Sequence, residues 1–132
     1  MKAILQRRYQ LAELAAATLL ALLVVSAQAD DTLATRGKQL FMLCQACHAT
    51  SDQATAKVGP SLWGVYGRQV ASNERYSYSP ALSQQDFVWE ETLLQSWLQQ
   101  PTQMVPGTKM SFAGINDEKS RAAIIAYLKT LQ

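Results

Sequence analysis

The chain has few of the side chains that hold metals or crosslink small proteins: its 132 residues include one histidine and two cysteines. A structural zinc site needs four ligands, and this set leaves it one short. Two cysteines close together cannot build the disulfide framework of many small exported domains. A redox dithiol of the thioredoxin type would need strands alternating with helices around the cysteines, and no such pattern is visible.

The chain also lacks any block of like charge. Residues 30–132 carry nine basic and nine acidic side chains, so the formal charge of +2 comes from residues 1–29. No basic patch indicates binding to nucleic acid, and no charge run indicates a disordered tail. We therefore expect neither a nucleic-acid partner nor an extended charged segment.

Residues 1–29 have the features of a secretory signal peptide. Basic residues precede an apolar run from Leu14 to Val25, and residues 27–29 read Ala-Gln-Ala, a small-x-small cleavage site. The run is well short of the roughly 20 residues that cross a bilayer as a helix. The sequence therefore predicts cleavage before Asp30, a periplasmic location, and one domain over residues 30–132.

Residues 44–48 read Cys-Gln-Ala-Cys-His, the attachment signature of c-type haem. Each thiol adds to one vinyl group of the porphyrin, and the following imidazole reaches the iron. The motif predicts one haem c per chain, bound covalently through Cys44 and Cys47, with His48 as an iron ligand. In so small a domain, a buried porphyrin would supply much of the apolar contact, so we expect the apoprotein to fold poorly.

Apolar periodicity predicts three helices, over residues 33–45, 90–100 and 117–131. Asp31 or Thr32 is the expected N-cap of the first helix, and Asn116 that of the third. The fold class is therefore all-α, with three main helices.

Two long segments, residues 49–87 and 101–114, carry no helical pattern and are rich in Gly, Pro, Ser and Thr. Such loops are uncommon in a compact domain unless they have a function, and here they would wrap a flat cofactor. Gly37 lies inside the first predicted helix, where it costs about 1 kcal/mol relative to alanine. We therefore expect another helix to approach closely there.

The iron needs a second axial ligand, and His48 is already used. Three methionines remain as candidates. Met42 lies on the helix that carries the motif, too near the first ligand to reach over the ring. Met104 and Met110 both lie in the second loop. Spacing favours Met110, because Pro106-Gly107 forms a turn just before it, but it leaves Met104 and an open site as alternatives.

The segment Val105–Ile115, Val-Pro-Gly-Thr-Lys-Met-Ser-Phe-Ala-Gly-Ile, resembles the methionine loop of class I cytochromes c from mitochondria and bacteria. Further similarities follow in the family's order: Gly-Pro-Ser-Leu at 59–62, Val-Tyr-Gly-Arg at 65–68, Tyr-Ser-Tyr-Ser-Pro-Ala-Leu at 76–82, Trp-Glu-Glu-Thr-Leu at 89–93 and Ile-Ala-Tyr-Leu-Lys at 125–129. The resemblance covers essentially all of residues 30–132. It implies a small haem-wrapping fold with Met110 as the second iron ligand.

The resemblance also implies roles for other residues. The carbonyl of Pro60 would accept a hydrogen bond from His48. Arg68, Tyr78 and Trp89 would hold the haem propionates, with the Thr108 hydroxyl nearby. Taken without the resemblance, Trp89 reads equally well as core and Arg68 as a solvated charge.

The packing of the first helix follows from the same resemblance. Gly37 and Phe41 would pack against Ile124, Tyr127 and Leu128 of the last helix.

Three departures from the family pattern affect these expectations. Trp97 stands where mitochondrial members have a tyrosine near the methionine sulfur, and Leu82 replaces an asparagine that often joins a buried water network. Both changes predict a drier pocket. The ring of docking lysines is largely absent: Lys109 remains, but uncharged or acidic residues occupy other positions of the ring, Thr102, Gln103, Asn116 and Asp117.

The expected function is one-electron transfer by a soluble, monomeric periplasmic carrier without a small-molecule substrate. It would dock transiently to redox proteins, between a reductase or dehydrogenase and a terminal oxidase, peroxidase or photosynthetic centre, and meet a membrane only through them. Two alternatives stay open. One is a haem enzyme whose distal site opens for peroxide or gas; the other is a dedicated haem subunit of a larger oxidoreductase.

Overall fold

The computed structural model describes residues 32–52, 54, 55 and 57–132. The signal-peptide prediction for residues 1–29 and the N-cap candidate Asp31 lie outside the described residues. Residues 33–132 form one compact unit.

The described part of the chain contains six helical segments. They are α1 (32–40), α2 (Met42–Gln45), α3 (Pro80–Ser83), α4 (Glu91–Gln99), α5 (Pro101–Met104) and α6 (Glu118–Lys129). Among these residues no β-strand forms, and the nearest approach to one is an isolated antiparallel bridge between Gln69 and Val88. The predicted all-α class is confirmed.

The three predicted helices are present, with shifted ends. A turn at Phe41 separates α1 from α2, so the first prediction covers two segments. The N-cap of α6 is Asp117, not Asn116 as expected. The Asp117 carboxylate accepts hydrogen bonds from the Ser120 N–H at 2.8 Å and from its hydroxyl at 2.6 Å. Both bonds favour the ionised form and lower the pKa of Asp117.

Helices α4 and α6 pack against each other and form one side of the core. Leu94 and Leu98 of α4 and Ile124, Ile125 and Leu128 of α6 are all at most 5% exposed. These positions lie at helical spacing, so each helix turns one apolar face inward.

Helix α1 lies against α6 at the position of Gly37. A Cβ atom built on Gly37 would overlap the carbonyl group of Ala123 and would lie 2.9 Å from the Cβ of Tyr127. Four residues later, the fully buried Phe41 ring packs edge-on against Tyr127, with ring centroids 5.1 Å apart. The predicted packing of Gly37 and Phe41 on the last helix is confirmed, and the close contact explains the glycine.

The two loops predicted as irregular each contain one turn of helix that the sequence analysis did not identify. Helix α3 begins at Pro80 behind Ser79, whose hydroxyl accepts a hydrogen bond from the Leu82 N–H. Helix α5 begins at Pro101, directly after α4. Elsewhere the first loop is tied by backbone hydrogen bonds, including Trp89 N–H to the Arg68 carbonyl and Leu62 N–H to the Ala49 carbonyl, both 2.9 Å.

No helix within the described residues is long and apolar enough to cross a membrane.

Glycine usually makes a helix less stable than alanine does, but the contact with α6 reverses this order at Gly37. Replacing an exposed helix glycine by alanine stabilises by about 1 kcal/mol, but Gly37→Ala must push α1 away from α6. We expect it to lower the free energy of unfolding of the holoprotein by about 1–3 kcal/mol, measured by denaturant titration. Lys38→Ala, on the exposed neighbour in the same helix, is the control and should be close to neutral. A stabilised Gly37→Ala variant would contradict this packing.

Candidate haem site

One cavity brings together every residue that the sequence analysis assigned to the haem. It is lined by Cys44, Cys47, His48, Pro60, Arg68, Tyr78, Trp89, Thr108 and Met110. The remaining wall is mainly apolar and includes Phe41, Leu62, Val65, Leu82, Leu94, Trp97, Leu98, Ile124 and Leu128. These residues come from α2, α3, α4 and α6, from Phe41 at the turn before α2 and from both long loops, so the cavity needs most of the domain to fold.

His48 is held in one orientation on the cavity wall. Its Nδ1 lies 2.8 Å from the carbonyl oxygen of Pro60. A carbonyl can only accept, so Nδ1 carries the proton and Nε2 keeps its lone pair. Burial lowers the pKa of His48, Lys57 acts in the same direction, and the bond to Pro60 opposes both. The imidazole is therefore set up as a neutral nitrogen donor, the form that binds a metal.

Gly59 makes room for this arrangement. A Cβ atom on Gly59 would lie 2.8 Å from Nδ1 and 3.0 Å from Nε2 of His48. The Gly59 N–H also donates to the Cys47 carbonyl at 2.8 Å, which places residues 59 and 60 beside the ring. A side chain at this position would displace the imidazole from its acceptor.

The two cysteines lie on the same wall as His48. Cys44 is half-buried and Cys47 is exposed, and the N–H groups of Cys47 and His48 both donate to the Cys44 carbonyl, at 3.1 and 2.9 Å. Burial, with a smaller contribution from Cys47, raises the pKa of the Cys44 thiol to about 11. Redox-active dithiols have the opposite property, a lowered pKa that exposes a thiolate. The environment of Cys44 therefore disfavours the dithiol alternative.

The structure separates the three methionines. Met110 is half-buried and lines the cavity. Met104 packs against the hydrophobic core but does not line the cavity. Met42 is 71% exposed.

The loop that carries Met110 is fixed from both sides. The Met110 N–H donates to the Thr108 hydroxyl at 3.3 Å. The ammonium group of Lys109 donates to the Ser77 carbonyl at 2.9 Å, which ties this loop to the first one. Gly107 has a φ of 89°, and this conformation favours glycine at the turn before Met110.

The polar end of the cavity contains Arg68 and Tyr78. The Arg68 guanidinium donates to the carbonyls of Trp63 at 2.8 Å and Ser61 at 3.2 Å. These two bonds fix its plane and leave further N–H donors. Burial raises the pKa of Tyr78, partly offset by the charge of Arg68, so the phenol stays protonated. This end can therefore donate hydrogen bonds to carboxylates.

Two tryptophans form the wall beside the polar end. Trp89 and Trp97 are 7% and 8% exposed, and their rings pack edge to face with centroids 5.2 Å apart. Trp97 and Leu82, the two departures from the family pattern, both line the cavity. Apolar surface thus occupies the positions where the family often has a hydroxyl and an amide.

Of the polar residues on the cavity wall that the sequence analysis did not assign to the site, Ser79 is the buried one. It is 3% exposed, lines the cavity and caps α3. The sequence does carry a signal for this cap, because serine followed by proline is a typical start of a helix. The signal was weak because only four residues of helix follow it.

A model of the family described as Cytochrome c matches residues 34–132. The chain belongs to the cytochrome c family. The family binds haem c covalently through its cysteine pair, which here is Cys44 and Cys47. The expected cofactor and the expected family are therefore confirmed, and electron transfer through a haem is the function that the family shares.

Relatives show how far the similarity extends. A cytochrome c of Euglena viridis is 46% identical over 100 residues, which cover 75% of this chain and 97% of the relative. A cytochrome c homolog of Rickettsia felis is 42% identical over 108 residues, or 82% of this chain, but the match spans only 59% of that relative's length. The solved structure of cytochrome cH from Methylobacterium extorquens has 42% identity and a TM-score of 0.69, covering 74% of this chain and 97% of the other.

The donors on the cavity wall fit the cofactor. Two thiols, a neutral imidazole with a free Nε2, a thioether and a largely apolar surface are what a covalently attached porphyrin requires. Arg68 and Tyr78, on the same wall, would supply hydrogen-bond donors for its carboxylates.

The collision that Gly59 avoids can be tested in the holoprotein. In Gly59→Ala the new methyl group displaces the His48 ring, which weakens the hydrogen bond to Pro60. We expect the exchange of the His48 ring N–H with solvent, followed by NMR, to become at least about fivefold faster, in line with a cost of about 1–3 kcal/mol for overpacking. Pro60→Ala keeps the carbonyl and is the matched control. Unchanged exchange in Gly59→Ala would contradict the role given to this glycine.

Proposed function

We propose that this chain is a soluble periplasmic one-electron carrier whose haem iron is bound by His48 and Met110. The observation that carries the proposal is that one cavity is lined by both cysteines, His48 and Met110. Met42 and Met104 do not line it. Held by the His48 imidazole and the Met110 thioether, the iron would keep no free position for a substrate.

The bound haem supplies a reversible change between ferric and ferrous iron. Met110 contributes a thioether, which favours the ferrous state and raises the reduction potential relative to a second nitrogen ligand. The buried apolar wall acts in the same direction, because ferric haem carries the additional positive charge.

The protein also limits how much the site rearranges during transfer. Pro60 fixes the imidazole, and the hydrogen bonds of Thr108 and Lys109 fix the loop of Met110. Ligands held by the backbone keep similar positions in both oxidation states. A small rearrangement of this kind favours rapid electron transfer.

In this proposal the propionates are held by Arg68, Tyr78 and Trp89. The Thr108 hydroxyl lies nearby. Arg68 and Tyr78 supply charged and neutral donors at one end of the cavity, and the buried Trp89 indole adds a third. Cys47, by contrast, is exposed, so its thioether bond would lie close to solvent.

Export and partners complete the proposal. Residues 1–29 act as a cleaved signal peptide, and the domain that begins at Asp30 works as a monomer in the periplasm. It accepts electrons from a reductase or dehydrogenase and passes them to a terminal oxidase, peroxidase or photosynthetic centre. Contacts of this kind are small and transient.

The ligand assignment predicts different effects for two methionines. Met110→Ala should abolish the far-red sulfur-to-iron absorption band of the ferric holoprotein and lower its reduction potential. Met104→Ala is the matched control from the same loop and should keep the band. Absorption spectra and redox titration measure both effects. Loss of the band in Met104→Ala with an unchanged Met110→Ala would reverse the assignment.

The carrier proposal predicts a closed iron site in the native protein. Ferrous holoprotein mixed with carbon monoxide at neutral pH should bind it slowly or in substoichiometric amounts, whereas Met110→Ala should bind it rapidly. Stopped-flow absorption gives both rates. Rapid, stoichiometric binding by the wild type would support a haem enzyme with an openable site instead.

A further inference from the structure

Arg121 on α6 carries a buried charge whose hydrogen bonds all run to neutral oxygens. The residue is 7% exposed. Its Nε donates to the side-chain oxygen of Gln95 at 2.8 Å. One of its terminal nitrogens donates to the carbonyls of Ile115 and Asn116, both at 2.8 Å. In the part of the chain that the structure describes, no carboxylate forms a salt bridge with it.

Arginine is a costly residue at this position. Burial removes the guanidinium from water, and neutral acceptors offset that loss less well than a carboxylate does. The residue also lies close to the N-terminus of α6, where the helix dipole disfavours a cation. An apolar side chain would avoid both costs. The hydrogen bonds are therefore what Arg121 provides in return, and their acceptors show what it holds.

Two of these acceptors are consecutive carbonyls at the end of the loop that carries Met110. The same end of the loop also contacts α4. The Ile115 N–H donates to the Leu98 carbonyl at 2.8 Å. Gly114 has a φ of 94°, and a Cβ atom on it would overlap the carbonyl group of Gln99. Helices α4 and α6 therefore both hold this end of the loop, α4 through its last turn and α6 through Arg121.

The position of Met110 depends on the two ends of its loop. Upstream, the bonds of Thr108 and Lys109 fix the chain just before it. Downstream, residues 111–116 form neither helix nor strand, so the next attachment is the one at residues 114–116. When that attachment is weakened, the irregular segment gains conformations. Those conformations take the thioether away from the cavity.

We propose that Arg121 is a positioning residue for Met110: by holding the carbonyls of Ile115 and Asn116, it keeps the thioether at the iron. The inference rests on the proposed function, in which Met110 is an iron ligand. It adds the residue that governs how readily this ligand leaves. Gln95 supports the arrangement, because its side-chain oxygen holds Nε and thereby fixes the plane of the guanidinium.

Cyanide is a defined probe of this role, because it binds the ferric iron only after the thioether has left. At saturating cyanide, the rate at which the sulfur-to-iron band of the holoprotein disappears measures the opening of the iron site. Arg121→Gln removes hydrogen bonds from a charged donor, and we expect opening to become at least about fivefold faster. Arg121→Lys keeps a charged donor and should lie closer to the wild type than to Arg121→Gln.

Two controls separate positioning from charge and from general stability. Lys119→Gln removes the same charge from an exposed position of α6, and its rate should stay within about twofold of wild type. Gly37→Ala loosens the contact of α1 with α6 but leaves both ends of the Met110 loop attached, so it should also keep the rate. Equal acceleration in Gly37→Ala and Arg121→Gln would overturn the proposal, as would an unchanged rate in Arg121→Gln.

A milder variant tests the same contact if Arg121→Gln yields no holoprotein. Gln95→Ala leaves the arginine in place but frees its Nε. It should speed opening and also the exchange of the Ile115 amide with solvent, followed by NMR, each by about twofold or more. The Trp89 amide, in the other loop, should keep its rate. Without an Arg121→Gln holoprotein, unchanged opening and exchange in Gln95→Ala would overturn the proposal.

The same spectra separate this inference from the ligand assignment on which it rests. A wild type without the sulfur-to-iron band refutes Met110 as a ligand, and the positioning role with it. A wild type with the band, whose rate of opening is the same with and without Arg121, refutes only the positioning role.

Discussion

The hydrogen bond from His48 Nδ1 to the Pro60 carbonyl is the contact on which the site depends. It fixes the orientation of the ring and the tautomer together, so the lone pair remains on Nε2. The bond exists because the chain returns to the motif within a dozen residues, through the Gly59 N–H bond to the Cys47 carbonyl. Gly59 lets the backbone come this close to the ring. The histidine of the local feature Cys-x-x-Cys-His thus becomes an oriented, neutral nitrogen donor only with the help of the loop that follows it.

The sequence was sufficient to predict those parts of the fold that rest on periodicity or on a motif. The apolar stripes of α4 and α6 are strong because both helices bury one face against each other. Helices α3 and α5 were missed because four residues hold too little periodicity to identify a helix. The N-cap of α6 was misplaced by one residue. Asn116 and Asp117 both favour that position, and only the backbone direction decides between them.

The candidate site likewise has parts that the sequence predicts and parts that only the fold decides. Spacing favoured Met110 but left Met104 open as an alternative, since both follow α4 by a few residues. The difference lies in α5, which places Met104 against the core before the chain turns at Gly107 towards the cavity. Gly37 was informative for the opposite reason. Its cost in a helix had no local explanation, so it pointed to a contact that only the packing of α1 on α6 could supply.

The apolar wall of the cavity favours electron transfer with little rearrangement of the surroundings. Trp97 and Leu82 fill the interior with apolar side chains, and the aromatic contacts run from Phe87 through Trp89 to Trp97 with centroids 4.8 and 5.2 Å apart. A closely packed wall holds few water molecules that must reorient when the iron changes charge.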